Sequence, residues 1–125
     1  MNLNNMLKAR IKAQKPVRVG LIGAGKFGSM ILSQARHIEG ISITAVADLD
    51  IQKTKESFRR VGWDISNCFT NSANDAVITG RTWLTENTSD IFKIPEIECI
   101  VEETGDPLFG IRHALKAIEN NKHVV

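Results

Sequence analysis

The sequence predicts an α/β fold built on a doubly wound parallel sheet. Short β-branched and apolar runs alternate with stretches of helical period, a glycine-rich turn follows the first such run, and an acidic residue closes the second. Strands alternating with helices pair in parallel through right-handed crossovers. At 125 residues and 42% hydrophobic content the chain has room for one domain with a real core, and is short for a complete two-domain enzyme.

Residues 1–15 read as an N-terminal amphipathic helix, with Leu3, Met6, Leu7 and Ile11 at near-helical spacing among Lys8, Arg10, Lys12 and Lys15. Docking on its own or a neighbouring subunit is the simpler account than a membrane or nucleic-acid surface, and Pro16 ends the helix. Residues 16–125 form the domain proper. Val17, Val19, Leu21 and Ile22 make a buried strand that runs straight into Gly23, Gly25 and Gly28, spaced G-x-G-x-x-G. Gly23 permits a sharp turn, Gly25 removes a side chain where backbone must approach a pyrophosphate, and Gly28 lets helix and strand pack closely. The helix after them turns its free N–H groups toward the phosphates. Its periodic residues are Phe27, Met30, Ile31, Ala35 and Ile38, with Gly40 as the stop.

Ile43, Ala45, Val46 and Ala47 form a second strand ending at Asp48, twenty residues past Gly28, where a dinucleotide fold places the carboxylate that holds the adenosine ribose. Glycine turns occur in unrelated loops. It is strand, glycines, helix, strand and acid in register that point to a dinucleotide. A carboxylate there accepts both ribose hydroxyls of NAD and repels the 2′-phosphate of NADP, so NAD is the expected cofactor and NADP the less favoured one. Ile51, Thr54, Phe58 and Val61 give the next helix its inner side, closed by Gly62, and Lys53, Arg59 and Arg60 fall on its solvated side.

The span 63–81 holds a short extra helix, capped by Ser72 or Asn71 and ended by Gly80. A third strand runs through Thr82–Thr85, with Trp83 packed against the sheet edge. Ile97, Cys99, Ile100 and Val101 make a fourth, ending at Glu102-Glu103-Thr104-Gly105. Asp106-Pro107 then opens a helix whose buried stripe is Leu108, Ile111, Leu115 and Ile118, and His123-Val124-Val125 begins a fifth strand. The strand order 3-2-1-4-5 is Rossmann-like and puts the crevice between the first and fourth strands. Thr104 and Gly105 then either line it, the Thr104 hydroxyl on the nicotinamide-side ribose or a phosphate, or form an ordinary turn before a capped helix. Glu102 and Glu103 point to opposite faces and cannot share one substrate, although one can serve as a supporting hydrogen-bonding group.

A formal charge of +2 gives no argument for nucleic acid or a membrane, and no apolar run reaches membrane-span length. Cys68 and Cys99 lack metal or redox spacing and read as reduced packing residues of a cytoplasmic protein, and His37, His113 and His123 as structural or surface residues.

The runs Pro16–Met30, Val46-Ala47-Asp48-Leu49-Asp50, Arg81–Thr85, Val101–Pro107 and Asn121–Val125 together resemble the homoserine-dehydrogenase-like NAD(P)-dependent oxidoreductases that carry a C-terminal SAF domain, and more distantly the Gfo/Idh/MocA oxidoreductases. The resemblance implies a cofactor site on Gly23, Ala24, Gly25, Lys26, Phe27, Gly28, Asp48, Leu49, Thr104 and Gly105. In both groups the catalytic part lies beyond the fifth strand, so no catalytic residue carries over, and the small polar carbonyl or hydroxy substrate is met through a further C-terminal domain. Homo-oligomerisation is compatible with this reading. The rival readings are a non-catalytic dinucleotide-binding or redox-sensing module and, less well matched by the third glycine, a nucleoside-binding transferase domain.

Overall fold

Val17–Ile22 (β1) lies at the centre of a six-stranded sheet in the computed structural model, which describes residues 2–125. It pairs in parallel with Ile41–Ala47 (β2) on one side and Cys99–Glu102 (β5) on the other. Beyond β2 come Thr82–Thr85 (β4) and the two-residue edge strand Phe69–Thr70 (β3), and beyond β5 lies His123–Val124 (β6). The order β3-β4-β2-β1-β5-β6 is the expected 3-2-1-4-5 arrangement with one short strand added at an edge. Register fixes the site: Ile22 stands opposite Ala47 and Glu102, and Ala47 opposite Thr85, so the residues that follow all four strands emerge at one level.

Helices cover both faces, as an all-parallel sheet requires. On one, Lys26–Ala35 (α2) and Ile51–Arg60 (α3) bury Leu21, Leu32, Val46 and Phe58. Phe58 is fully buried, and the rings of Trp63 and Phe69 meet it edge-on at 5.1 and 4.9 Å. Its burial contributes about 1.5–3 kcal/mol and ties β3 to the sheet. On the other face Ala73–Thr79 (α4), Thr88–Phe92 (α5) and Pro107–Glu119 (α6) cover Ile22, Ala45, Ala47 and Ile100. Trp83 packs into this second core, because β3 pairs outside β4 and takes the edge position expected for it. Cys68 and Cys99 are half-buried free thiols; burial pushes Cys68 up to about 11 and also raises Cys99, so both stay protonated at neutral pH.

The short helix capped by Ser72 is α4, with Gly80 left-handed at its end (φ +76). The N-terminal helix, Leu3–Lys12 (α1), stops before Lys15, because Gln14 turns left-handed (φ +57) and the Lys15 N–H returns to the Arg10 carbonyl at 2.9 Å. It docks on its own chain. Leu7 is buried against Gly40, where a β-carbon would lie 2.9 Å from that of Leu7, and Arg10 pairs with Glu98.

Two apolar stripes depart from expectation, the α6 stripe wholly and the α2 stripe in part, since Ala35 is buried and Ile31 packs against the core as its spacing predicts. In α2 the buried residues are Gly28, Ser29, Leu32 and Ala35, whereas Phe27 and Met30 are exposed, and Ile38 lies past the helix end. In α6, Leu108, Ile111, Leu115 and Ile118 are 56–63% exposed; His113 and Ala117 are the buried pair. Small residues let both helices lie close to the sheet, which turns their larger apolar neighbours outward. The sequence reading also lacks α5, whose five residues are too few for a periodic pattern, and starts the fourth strand at Ile97, which is buried but precedes β5.

Candidate functional site

The three glycines differ in what surrounds them. Gly23 has φ +92, and a β-carbon there would sit 2.8 Å from the Glu103 carbonyl oxygen. At Gly28 a β-carbon would lie 2.2 Å from the Gly23 carbonyl oxygen, so this position holds turn and helix in contact. At Gly25 nothing lies within 4 Å of an added β-carbon: that position opens onto a cleft. Gly25 also caps α2, and no side chain bonds the helix start. By contrast, α1, α3, α4, α5 and α6 are capped by Asn2, Asp50, Ser72, Asn87 and Asp106, each accepting from a backbone N–H of its first turn. The positive end of α2 is thus open toward the cleft, the arrangement that receives an anion.

Ala24 is held from three directions. Its N–H donates to Asp48 Oδ2 at 2.8 Å, and its carbonyl accepts from Ser57 Oγ at 3.0 Å and Ser29 Oγ at 3.4 Å. The other Asp48 oxygen accepts from the Asp50 N–H at 3.0 Å. The carboxylate therefore braces the glycine turn while retaining lone pairs for a further donor.

Gly23, Gly25, Asp48, Leu49 and Thr104 meet in one crevice of about 290 Å³, which also takes Glu86 and Thr88. An adjoining cleft of about 720 Å³ runs between α2 and α3 past Ala24, Lys26, Lys53 and Arg60. Phe27 and Gly105 line a third hollow, beside Glu102 and Asp106. Gly28 lies beneath the turn and lines none of these. Glu86 and Thr88 are absent from the sequence reading; since β4 neighbours β2, the chain leaving Thr85 must emerge beside Asp48, and the strand order carried that signal. Lys53 and Arg60 reach the wider cleft from a helix side whose spacing suggests a solvated face but from which one basic residue can turn back toward a phosphate.

Of the three histidines, His37 and His123 are exposed and His113 is buried. Among the described residues no three His, Cys, Asp or Glu side chains cluster as a metal ion would require, and no helix is long and apolar enough to cross a membrane.

Residues 17–125 match the family described as an oxidoreductase family, NAD-binding Rossmann fold, the Gfo/Idh/MocA group. The chain belongs to this oxidoreductase family. Its cofactor domain binds NAD, and the open start of α2 above Gly25 fits that group. Homoserine dehydrogenase of Pseudomonas aeruginosa is 30% identical over 113 residues, covering 89% of this chain and 23% of that protein. Among solved structures, myo-inositol dehydrogenase from Lactobacillus casei, in complex with NAD(H) and myo-inositol, superposes with a TM-score of 0.64 at 17% identity, over 87% of this chain and 27% of that one. Levoglucosan dehydrogenase in complex with NADH gives a TM-score of 0.58 at 20% identity, over 87% of this chain and 26% of that one. At those identities the two structures show the fold. The chain spans about a quarter of the length of these relatives.

Proposed function

We propose that residues 16–125 are the cofactor domain of an oxidoreductase that passes hydride between NAD and a carbonyl or hydroxyl carbon of a small polar substrate, homoserine-dehydrogenase-like by resemblance. The observation that carries this reading is the start of α2. Among the described helices it alone has no side-chain cap, and it begins at a glycine whose missing β-carbon opens the cleft. Bound there, the cofactor supplies the hydride chemistry, and this chain's contribution is to bind and orient it. The α2 N–H groups and Lys26 meet the pyrophosphate, Asp48 accepts from the adenosine ribose between Leu49 and Glu86, and the Thr104–Gly105 turn meets the other half. In this reading, the groups that hold the substrate and move its proton belong to chain outside residues 1–125, consistent with relatives about three to four times as long.

Asp48 sets cofactor choice. Its carboxylate, fixed by Ala24 and Asp50, lies where the 2′-phosphate of NADP would have to enter, and two such charges a few ångströms apart repel. Lys53 and Arg60 line the neighbouring cleft and reduce that penalty without removing it. NAD then binds more tightly than NADP by about tenfold, or about 1.4 kcal/mol. Calorimetric titration with both cofactors tests this, together with Asp48→Asn, which keeps an oxygen for the Ala24 N–H but loses the charge. The ratio of the two dissociation constants should fall to about threefold or less. A parent chain that prefers NADP, or a ratio unmoved by Asp48→Asn, would refute the assignment.

A further inference from the structure

We propose that Glu102 is a positioning residue for the nicotinamide half of the cofactor, acting through the Thr104–Gly105 turn; the proposal rests on the function argued above. Glu102 ends β5 and shares a sheet face with Ile100, so its side chain runs beneath α6 and is only 11% exposed. An apolar residue would satisfy such a site at lower cost, since a buried carboxylate needs partners. Here the partner is the turn: Glu102 Oε1 accepts from the Thr104 N–H at 2.9 Å.

The surroundings are shaped for this carboxylate. A β-carbon at Gly110 would come within 3.0 Å of Glu102 Oε2, so the glycine leaves the gap in α6 that the oxygen occupies. His113 Nδ1 lies 3.6 Å from Oε1, beyond hydrogen-bond range and without another partner, and its ring centroid is 6.1 Å from those of Phe92 and Phe109. Thr104 is held a second time, its Oγ1 accepting from the Asp106 N–H at 3.4 Å, and Gly105 follows at φ +74. Glu102 thus fixes a turn whose Thr104 lines the crevice, on the opposite side of β1 from Asp48. A dinucleotide crossing the sheet at this point places one half over Asp48 and the other over the turn.

A positioning role separates from a structural one because only one half of the cofactor meets the turn. Titrating the chain with NAD and with ADP, in wild type, Glu102→Leu and Glu102→Gln, reads the two halves apart. Glu102→Leu should weaken NAD about tenfold and leave ADP within about twofold. Glu102→Gln, which restores an oxygen acceptor for the Thr104 N–H, should recover most of the NAD affinity and the wild-type amide proton shift of Thr104. Should Glu102→Leu not fold, Glu102→Asp, too short by one methylene to reach that N–H, takes its place with the same expected pattern. Equal losses for NAD and ADP, an unchanged NAD affinity, or no recovery in Glu102→Gln would overturn the proposal. A wild-type chain that binds neither ligand would instead overturn the function on which it rests, and the proposal with it.

Discussion

Gly28 packs a backbone against a backbone, with only 2.2 Å between its missing β-carbon and the Gly23 carbonyl oxygen. Neither partner is the end of a flexible side chain, so Gly28→Ala forces the turn and the start of α2 apart. The cost expected is about 1–3 kcal/mol, the range for overpacking a close contact. Chemical denaturation checks it, and a variant within 0.5 kcal/mol of wild type would show that the turn relaxes freely. Asp48 joins two roles in one side chain: it braces Ala24 and presents the remaining lone pairs to the crevice. Ser57 reaches Ala24 from the far helix, a contact that no local spacing in the sequence encodes.

Among the elements, α6 separates apolarity from burial. Its inward residues Gly110, His113 and Ala117 and its outward residues Leu108, Ile111, Leu115 and Ile118 both recur at helical spacing, and hydrophobicity alone selects the outward set. The distances decide otherwise: Ala117 is fully buried in the core with Ile97 and Ile100, whereas Leu115 is more than half exposed. Leu115→Lys should therefore change stability by no more than about 0.5 kcal/mol, and Ala117→Leu should cost about 1–3 kcal/mol through overpacking. Thermal unfolding of the two variants checks the assignment; the reverse ranking would place the apolar stripe inside. The capped starts of α4 and α6 were legible, because Ser and Asp-Pro act within one turn of the chain, whereas the Asp50 cap of α3 was not singled out. The five-residue α5 and two-residue β3 were not, since tertiary contacts of Phe92 and Phe69 hold them rather than local pattern.

For the whole molecule, alternating strands and helices lead to the sheet, and the sheet's register brings the ends of β1, β2, β4 and β5 to one level. That is why the glycine turn, Asp48 and Thr104 meet in one crevice from motifs far apart in the sequence; the glycines and Asp48 were legible there, Thr104 was left open between crevice and ordinary turn, and Glu86 and Thr88 carry no motif and reach the crevice only because β4 lies beside β2. The central claim is that this crevice receives a dinucleotide pyrophosphate over Gly25. Calorimetric titration of NAD into the wild-type chain and into Gly25→Val tests it most directly, because the open space at Gly25 lets the variant keep its fold while its side chain fills the cleft. The account predicts saturable binding to wild type and at least a tenfold loss in Gly25→Val, with unfolding midpoints unchanged; equal affinities in the two folded proteins would contradict it.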